Sequence, residues 1–258
     1  MKQKWWERFF DSGFANFFLD RDEEILRRTA QFLIGKLFLK KKMVVFDQCC
    51  GIGAVAFALA RKGMKIIGVD QSRAYIERAK EKAKKENLAC EFYQGDAFIY
   101  TPKEQCDAAI SWYTSFGYSR DDKKNREMLK RAYESLKRGG YFALDYHNMP
   151  FVFKNFEAVR RQHRTINGER IDIKRFSSID IENGMLISEW EYAYPGGNVK
   201  KFKGETRTYF ANDIKAMLSG AGFKNIKFYG DIDGSKLSID SPRCIVVAQK
   251  PTIKWKIF

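Results

Sequence analysis

The sequence predicts an α/β fold built on a doubly wound, mainly parallel sheet of seven strands, with a small antiparallel sheet inserted into it. Three observations lead there. Short apolar runs alternate with stretches of helical periodicity over residues 44–145, and strands alternating with helices make right-handed βαβ units. A glycine-bearing turn, Gly51-Ile52-Gly53, joins the first run to the first of these helices, where open sheets of this class bind their ligands. After a stretch of different character, the chain returns to one helix and two strands that complete the sheet.

The elements follow in order. From Asp22 to Leu39 apolar residues recur at helical spacing (Ile25, Leu26, Ala30, Leu33, Ile34, Leu37), so a helix precedes the first strand. Strands are predicted at 44–46, 65–69, 89–93, 108–111 and 141–145, and helices at 54–61, 73–86 and 125–137. The turn Lys137-Arg138-Gly139-Gly140 leads into the fifth strand. After Pro150 the pattern changes to period two. Turn signals at Glu182-Asn183-Gly184 and Pro195-Gly196-Gly197 predict an antiparallel meander of three or four strands. A helix at 212–219, ended by Gly220 and Gly222, and strands near 225–229 and 244–249 close the domain. The expected organisation is an N-terminal helical lid (1–42), an α/β core (43–150), an antiparallel insertion (151–211) and completion of the core (212–258). No linker makes the insertion an independent domain.

Composition narrows the class. A hydrophobic share of 45% and a charged share of 31% are those of a soluble globular protein. The apolar run 30–39 is broken by Gln31 and Lys36 and is too short for a bilayer. The first twenty residues carry charges throughout and no small-residue cleavage pattern, so the expected location is the cytoplasm. Five cysteines without C-x-x-C spacing and two histidines argue against a disulfide framework and a zinc site. Cys49 and Cys50 read as small residues filling a tight turn rather than as a redox pair. The formal charge of +15 raises the question of an anionic partner. It is spread along the chain, and residues 73–87 mix Lys with Glu at i,i+3 and i,i+4, as a solvated helix face does.

The chemistry sits around the glycine turn. Gly51-Ile52-Gly53-Ala54-Val55-Ala56 fits the G-x-G-x-x-G/A fingerprint, and Asp70 ends the second strand at a distance suited to ribose hydroxyls. Asp47 discriminates among nucleotides. A pyrophosphate seeks backbone N–H groups at a helix N-terminus, and an acid four residues before the glycine opposes it. A ligand bearing an ammonium and a sulfonium but no phosphate is favoured by that acid, and S-adenosylmethionine is such a ligand. In Tyr93-Gln94-Gly95-Asp96-Ala97-Phe98 a third acid, Asp96, can accept from the adenine amino group while Ala97 leaves room for the ring. Three acids thus follow three successive strands at the edge where open sheets bind ligands.

These motifs resemble those of the class I S-adenosylmethionine-dependent methyltransferases. Residues 46–53 are similar to the family's first motif, with Cys49 where the commonest pattern has glycine; residues 66–72 and 93–98 are similar to the next two. The resemblance runs on through 106–118, 136–148 and 228–250, and is nearest to a subgroup with a β-meander lid that includes amino-sugar N-methyltransferases. It implies a Rossmann-like sheet and a cofactor site made by Asp47, Cys49, Cys50, Gly51, Gly53, Asp70, Gln71, Asp96, Ala97, Ser111 and Trp112. It also implies that Trp6, in the aromatic cluster with Trp5, Phe9 and Phe10, closes over the cofactor; plain packing against the sheet edge is the alternative.

The acceptor must approach past the ends of the fourth and fifth strands. His147 is the histidine placed there to act as a base, with Asp145 two residues earlier on the same strand face; a packed histidine is the alternative. Tyr113 and Tyr118 either orient an amine or serve the structure. In the insertion, Arg207 and Tyr209 are assigned to acceptor binding, against the alternative that this sheet is a homodimer surface. The expected activity is methyl transfer to an amine or hydroxyl of a small molecule, without a metal. RNA methylation is the second reading, kept by the charge. It is weakened because no Asn/Asp-Pro-Pro-aromatic motif follows the fourth strand and no RNA-binding module is appended. An NAD-dependent oxidoreductase is opposed by Asp47.

Overall fold

The computed structural model describes residues 21–252 apart from Asn167. Trp6 and its aromatic neighbours lie outside the described residues. Among the described residues the first element is α1 (Glu23–Lys36), whose first turn is capped by Asp22: its carboxylate accepts from the N–H groups of Glu24 and Ile25 at 2.9 and 3.1 Å. There follow β1 (Val44–Gln48), α2 (Ala54–Ala60), β2 (Lys65–Asp70), α3 (Arg73–Lys85), β3 (Cys90–Gln94), β4 (Cys106–Ser111), α4 (Asp122–Ser135) and β5 (Leu136–His147). After the insertion come α6 (Ala211–Gly220), β10 (Lys224–Tyr229) and β11 (Arg243–Gln249).

These strands form one seven-stranded sheet in the order β10-β11-β5-β4-β1-β2-β3. It is parallel except for β11, which runs antiparallel to both β5 and β10. The strand order reverses between β1 and β4, and a crevice opens there at the carboxyl edge. The inner strands β1, β2, β4 and β11 are covered on both faces, which is why their runs read as mostly apolar, whereas the edge strands β3 and β10 are largely exposed. Val45, Ile66, Ala108, Ala143 and Val247 bury one face with α1 and α2. Their neighbours Phe46, Ile67, Ala109, Phe142 and Val246 bury the other with α4 and α6.

One local expectation differs. The Lys137-Arg138-Gly139-Gly140 stretch lies inside β5: Cys106 pairs with Leu136, and two residues later Ala108 pairs with Tyr141. The three extra residues on β5 form a bulge. Gly139 takes a φ of +82°, and a side chain on Gly140 would stand 2.9 Å from the carbonyls of Asp107 and Lys137. Glycine is what lets the strand continue.

The insertion begins with α5 (Met149–Lys154), a short helix the period-two pattern did not announce. Then come β6 (Val159–Ile166), β7 (Glu169–Asp180), β8 (Met185–Ala193) and β9 (Val199–Arg207), a four-stranded antiparallel sheet in sequential order. Its two faces differ. Arg160, Arg175, Trp190 and Phe202 are successive cross-strand partners on the face that turns to the core. The opposite face carries the ion pairs Glu189–Lys203 and Glu191–Lys201, at 3.3 and 2.5 Å. Exposed pairs of this kind add little stability and mark a solvated surface. Among the described residues, no helix is long and apolar enough to cross a membrane.

Candidate active site

The turn after β1 is shaped by backbone conformation. Cys49, Gly51 and Gly53 all have positive φ, at 62°, 57° and 84°. Cys49 therefore follows the path a glycine would take, and does so with a side chain, at a cost of about 1–2 kcal/mol. Gly53 caps α2, and a side chain there would stand 2.9 Å from the Phe57 ring and 3.1 Å from that of Phe92. The Cys50 N–H donates to the Val69 carbonyl at 2.9 Å, which pins the turn to β2.

Asp70 is the knot between two turns. Its carboxylate accepts from the N–H of Gly51 and of Ser72, each at 2.9 Å. Burial pulls its pKa up against those backbone N–H groups. Asp47 is harder to satisfy. It is 3% exposed, and among the described residues no group donates a hydrogen bond to its carboxylate. Burial, and secondarily the charge of Asp70, push its pKa to about 8. An unpaired carboxyl in that position is costly unless a cation meets it. This is the fit expected for a ligand with an ammonium group.

A pocket at the β1/β4 switch point collects most of the predicted cofactor residues: Asp47, Cys49, Cys50, Gly51, Asp70, Gln71, Asp96, Ala97 and Trp112 all line it. Gly53 stands just behind the rim as the cap of α2. Ser111 ends β4 fully buried beneath the pocket, outside its lining. Asp96 holds its own turn by accepting from the Phe98 N–H at 2.9 Å. Sequence reasoning missed Arg21, Tyr75, Ser115 and Met128 on this wall. It also missed Gln48, whose amide donates to the carbonyls of Ala97 and Met128, both at 3.1 Å, and so fixes the floor. The alternation along β1 could have flagged Gln48 as a polar residue in an apolar run; nothing in the local sequence marks Arg21.

Past the end of β4, Tyr113 and Thr114 both adopt φ of +59°. Two successive non-glycine residues in that region store strain, which typically gathers at functional sites. Asp145 holds them: its carboxylate accepts from the Tyr113 N–H at 2.9 Å and its carbonyl from the Thr114 N–H at 3.2 Å. The same carboxylate is bound through both oxygens by Arg243, and Asp145 is 2% exposed. The expected Asp145–His147 partnership is therefore not formed. Both residues face one cleft, but the acid is committed to Arg243 and to the Tyr113 backbone. Burial, with Arg175 and Arg243 nearby, lowers the His147 pKa to about 4.

That cleft lies between the carboxyl edge of the large sheet and the inserted sheet. It has a volume of about 600 Å³, is open to solvent, and is lined by Tyr118, His147, Arg175, Trp190 and Arg243 among others. Arg21, Tyr113 and Tyr118 line both this cleft and the cofactor pocket, so the two are neighbours. The Arg21 guanidinium stacks over the Tyr113 ring at 4.3 Å. Among the described residues, no three His, Cys, Asp or Glu side chains gather as a metal would require.

Arg207 and Tyr209, expected at the acceptor, lie outside this cleft. The Arg207 guanidinium pairs with Asp122 at 2.9 and 3.1 Å, and the Tyr209 hydroxyl donates to the same carboxylate at 2.6 Å. Asn125 donates to the Tyr209 oxygen at 2.8 Å. The reason is strand parity: Thr206 points into the cleft, so Arg207 points out of it. Both residues fasten the insertion to α4.

Pocket and fold together define a class I, Rossmann-like S-adenosylmethionine-dependent methyltransferase. Comparison with known proteins agrees. Residues 45–140 match the family model described as a methyltransferase domain. A putative methyltransferase of Geobacillus sp. (strain WCH70) is 25% identical over 211 residues, covering 80% of this chain and 84% of its own. A putative ribosomal RNA large subunit methyltransferase of Methanocaldococcus jannaschii is 33% identical over 130 residues, 47% of this chain and 31% of its own. Among solved structures, an S-adenosylmethionine-dependent methyltransferase from Clostridium acetobutylicum superposes with a TM-score of 0.78 at 17% identity, over 95% and 99% of the two chains. An amino pentose methyltransferase from Micromonospora echinaspora, solved with S-adenosylmethionine bound, gives 0.70 at 15% identity, over 94% and 96%. Residues 45–140 thus form a methyltransferase domain, the activity is S-adenosylmethionine-dependent methyl transfer, and the cofactor is S-adenosylmethionine.

Proposed function

We propose that the protein methylates a small molecule, at an amine in preference to a hydroxyl, inside the cleft beneath the inserted sheet. The observation that carries this reading is the shared wall of Arg21, Tyr113 and Tyr118, which joins a cleft of metabolite size to the cofactor pocket. When bound, S-adenosylmethionine supplies an electrophilic methyl group on a sulfonium. The chain's residues have three tasks. Asp47 meets the ammonium of the cofactor, and Asp70 and Asp96 accept from its ribose and adenine. Tyr113 and Tyr118 align the acceptor lone pair with the methyl group, and the inserted sheet excludes water that would dilute that alignment.

The preference for an amine comes from His147. A base with a pKa of about 4 is a poor match for a hydroxyl proton near neutral pH, because general-base efficiency rises as the pKa nears the working pH. An amine needs alignment and an exit for its proton. RNA methylation remains the second reading, drawn from the charge of +15 and the ribosomal RNA methyltransferase relative. That relation covers less than half of this chain and leaves the inserted sheet unexplained. The test is a transfer screen with isotopically labelled S-adenosylmethionine over amine metabolites, hydroxyl metabolites and bulk RNA. Label in an amine metabolite supports the proposal. Label confined to a defined RNA nucleotide at physiological salt overturns it.

A further inference from the structure

The acidic, basic and histidine side chains lining the cleft are Arg21, Asp145, His147, Glu157, Arg160, Arg175 and Arg243. Both acids are engaged, Asp145 by Arg243 and Glu157 by Arg160 at 3.9 Å. Arg175 stands differently. Among the described residues no carboxylate lies within 4.0 Å of it, and its Nε is buried without a hydrogen-bond partner. Burial and the nearby Arg160 both disfavour its charge, yet a guanidinium does not deprotonate in a protein. Arg160 and Arg175 are moreover direct cross-strand partners, and like charges placed opposite one another destabilise a sheet. The folded chain thus holds two guanidinium groups together on its cleft face, one of them half-buried, where an alternating strand could have carried them outward.

We propose that the methyl acceptor is an anionic small molecule, whose carboxylate or phosphate group is held by Arg175 with Arg160 beside it. This rests on the reading of the cleft as the acceptor site. A planar guanidinium fork suits a carboxylate or a phosphate, since both accept two parallel N–H bonds. Trp190 follows Arg175 in the same cross-strand row and gives the ligand a flat apolar wall. At the other end of the cleft, Tyr113 and Tyr118 border the cofactor pocket. The acceptor therefore reaches the methyl group with its uncharged or amine-bearing end and leaves its anion under the inserted sheet. The cleft, about 600 Å³, has room for a free metabolite.

The experiment uses the full chain with saturating S-adenosylhomocysteine and reads binding of inorganic phosphate and of glutarate by calorimetry, at ionic strength held constant with chloride. Each anion in turn distinguishes a phosphate site from a carboxylate site. Saturable binding of either, weakened about tenfold or more in Arg175→Gln and less in Arg175→Lys, is the expected result. Arg160→Gln serves as the second variant should Arg175→Gln not fold, with a smaller loss expected. Absence of binding by both anions, or binding equal in wild type and variants, overturns the inference. An RNA oligonucleotide that binds more tightly than either anion and depends on Arg175 also overturns it, in favour of a polymer. S-adenosylhomocysteine affinity in the same samples is the independent readout: its loss in the wild type would strike the methyltransferase site itself and leave the anion result to stand alone.

Discussion

Asp47→Asn removes a titrating group from the cofactor pocket, and its effect follows from burial. With a pKa of about 8 in the free protein, about nine-tenths of the Asp47 side chains carry a proton at pH 7. An ammonium brought within contact distance lowers a carboxylate pKa by about 1–3 units. Taking about 2 units, the bound state is almost wholly ionised, so binding releases about 0.8 proton at pH 7 and about 0.5 at pH 8. S-adenosylhomocysteine keeps the ammonium and is the ligand to use. Calorimetry in buffers of different ionisation enthalpy reads the released proton directly. The wild type should show a clear buffer dependence at pH 7, and Asp47→Asn should show none while binding more weakly. The stability of the free protein carries the same sign. A carboxyl whose pKa is raised on folding stabilises the fold fully below its unfolded value, 3.8, and loses that contribution as pH rises through about 8. Asp47→Asn should therefore gain on the wild type over that window. A buffer-independent wild type at pH 7 would mean that Asp47 does not meet the ammonium.

Two further outcomes are expected. Cys49→Gly should fold and bind cofactor as the wild type does, because relief at φ +62° offsets the entropy of a freer unfolded chain. Cys49→Val should lose about 1–2 kcal/mol or more in urea unfolding, since a β-branched residue resists that conformation; equal stability of the two variants would contradict the strained turn. Arg207→Ala should lower the melting temperature by a few degrees, corresponding to about 1–2 kcal/mol for a partly exposed, charge-assisted pair. Its kcat/KM at moderate temperature should stay within about twofold. A large rise in acceptor KM without a change in melting temperature would return Arg207 to the acceptor.

Much of the cofactor side was legible because its signals are local. Asp47 lies near the end of β1, Asp70 ends β2 and Asp96 follows β3, and the glycine turn comes within a few residues of the first. The inner strands β1, β2, β4 and β11 were readable for a similar reason: each is a short, mainly apolar run. The cleft beneath the inserted sheet depends on long-range register. Asp145 finds Arg243 98 residues later in the chain, and no local pattern pairs them. Arg207 and Tyr209 looked suited to a polar acceptor by composition, but a one-residue choice of strand parity decides which side chains enter the cleft. That same parity places Arg160, Arg175 and Trp190 in one row, a juxtaposition visible only when three strands are aligned. The Gly139-Gly140 pair shows the limit in reverse. A turn signal is also a bulge signal when the strand has a partner to continue along.

The most direct measurement is a crystal structure with S-adenosylhomocysteine bound. The expected result is ribose hydroxyls on Asp70, the ammonium at Asp47, and the sulfur turned toward Tyr113 and Tyr118, open to the cleft beneath the inserted sheet. A sulfur facing away from that cleft, or one sealed from it by the fold, would contradict the assignment of the cleft to the methyl acceptor.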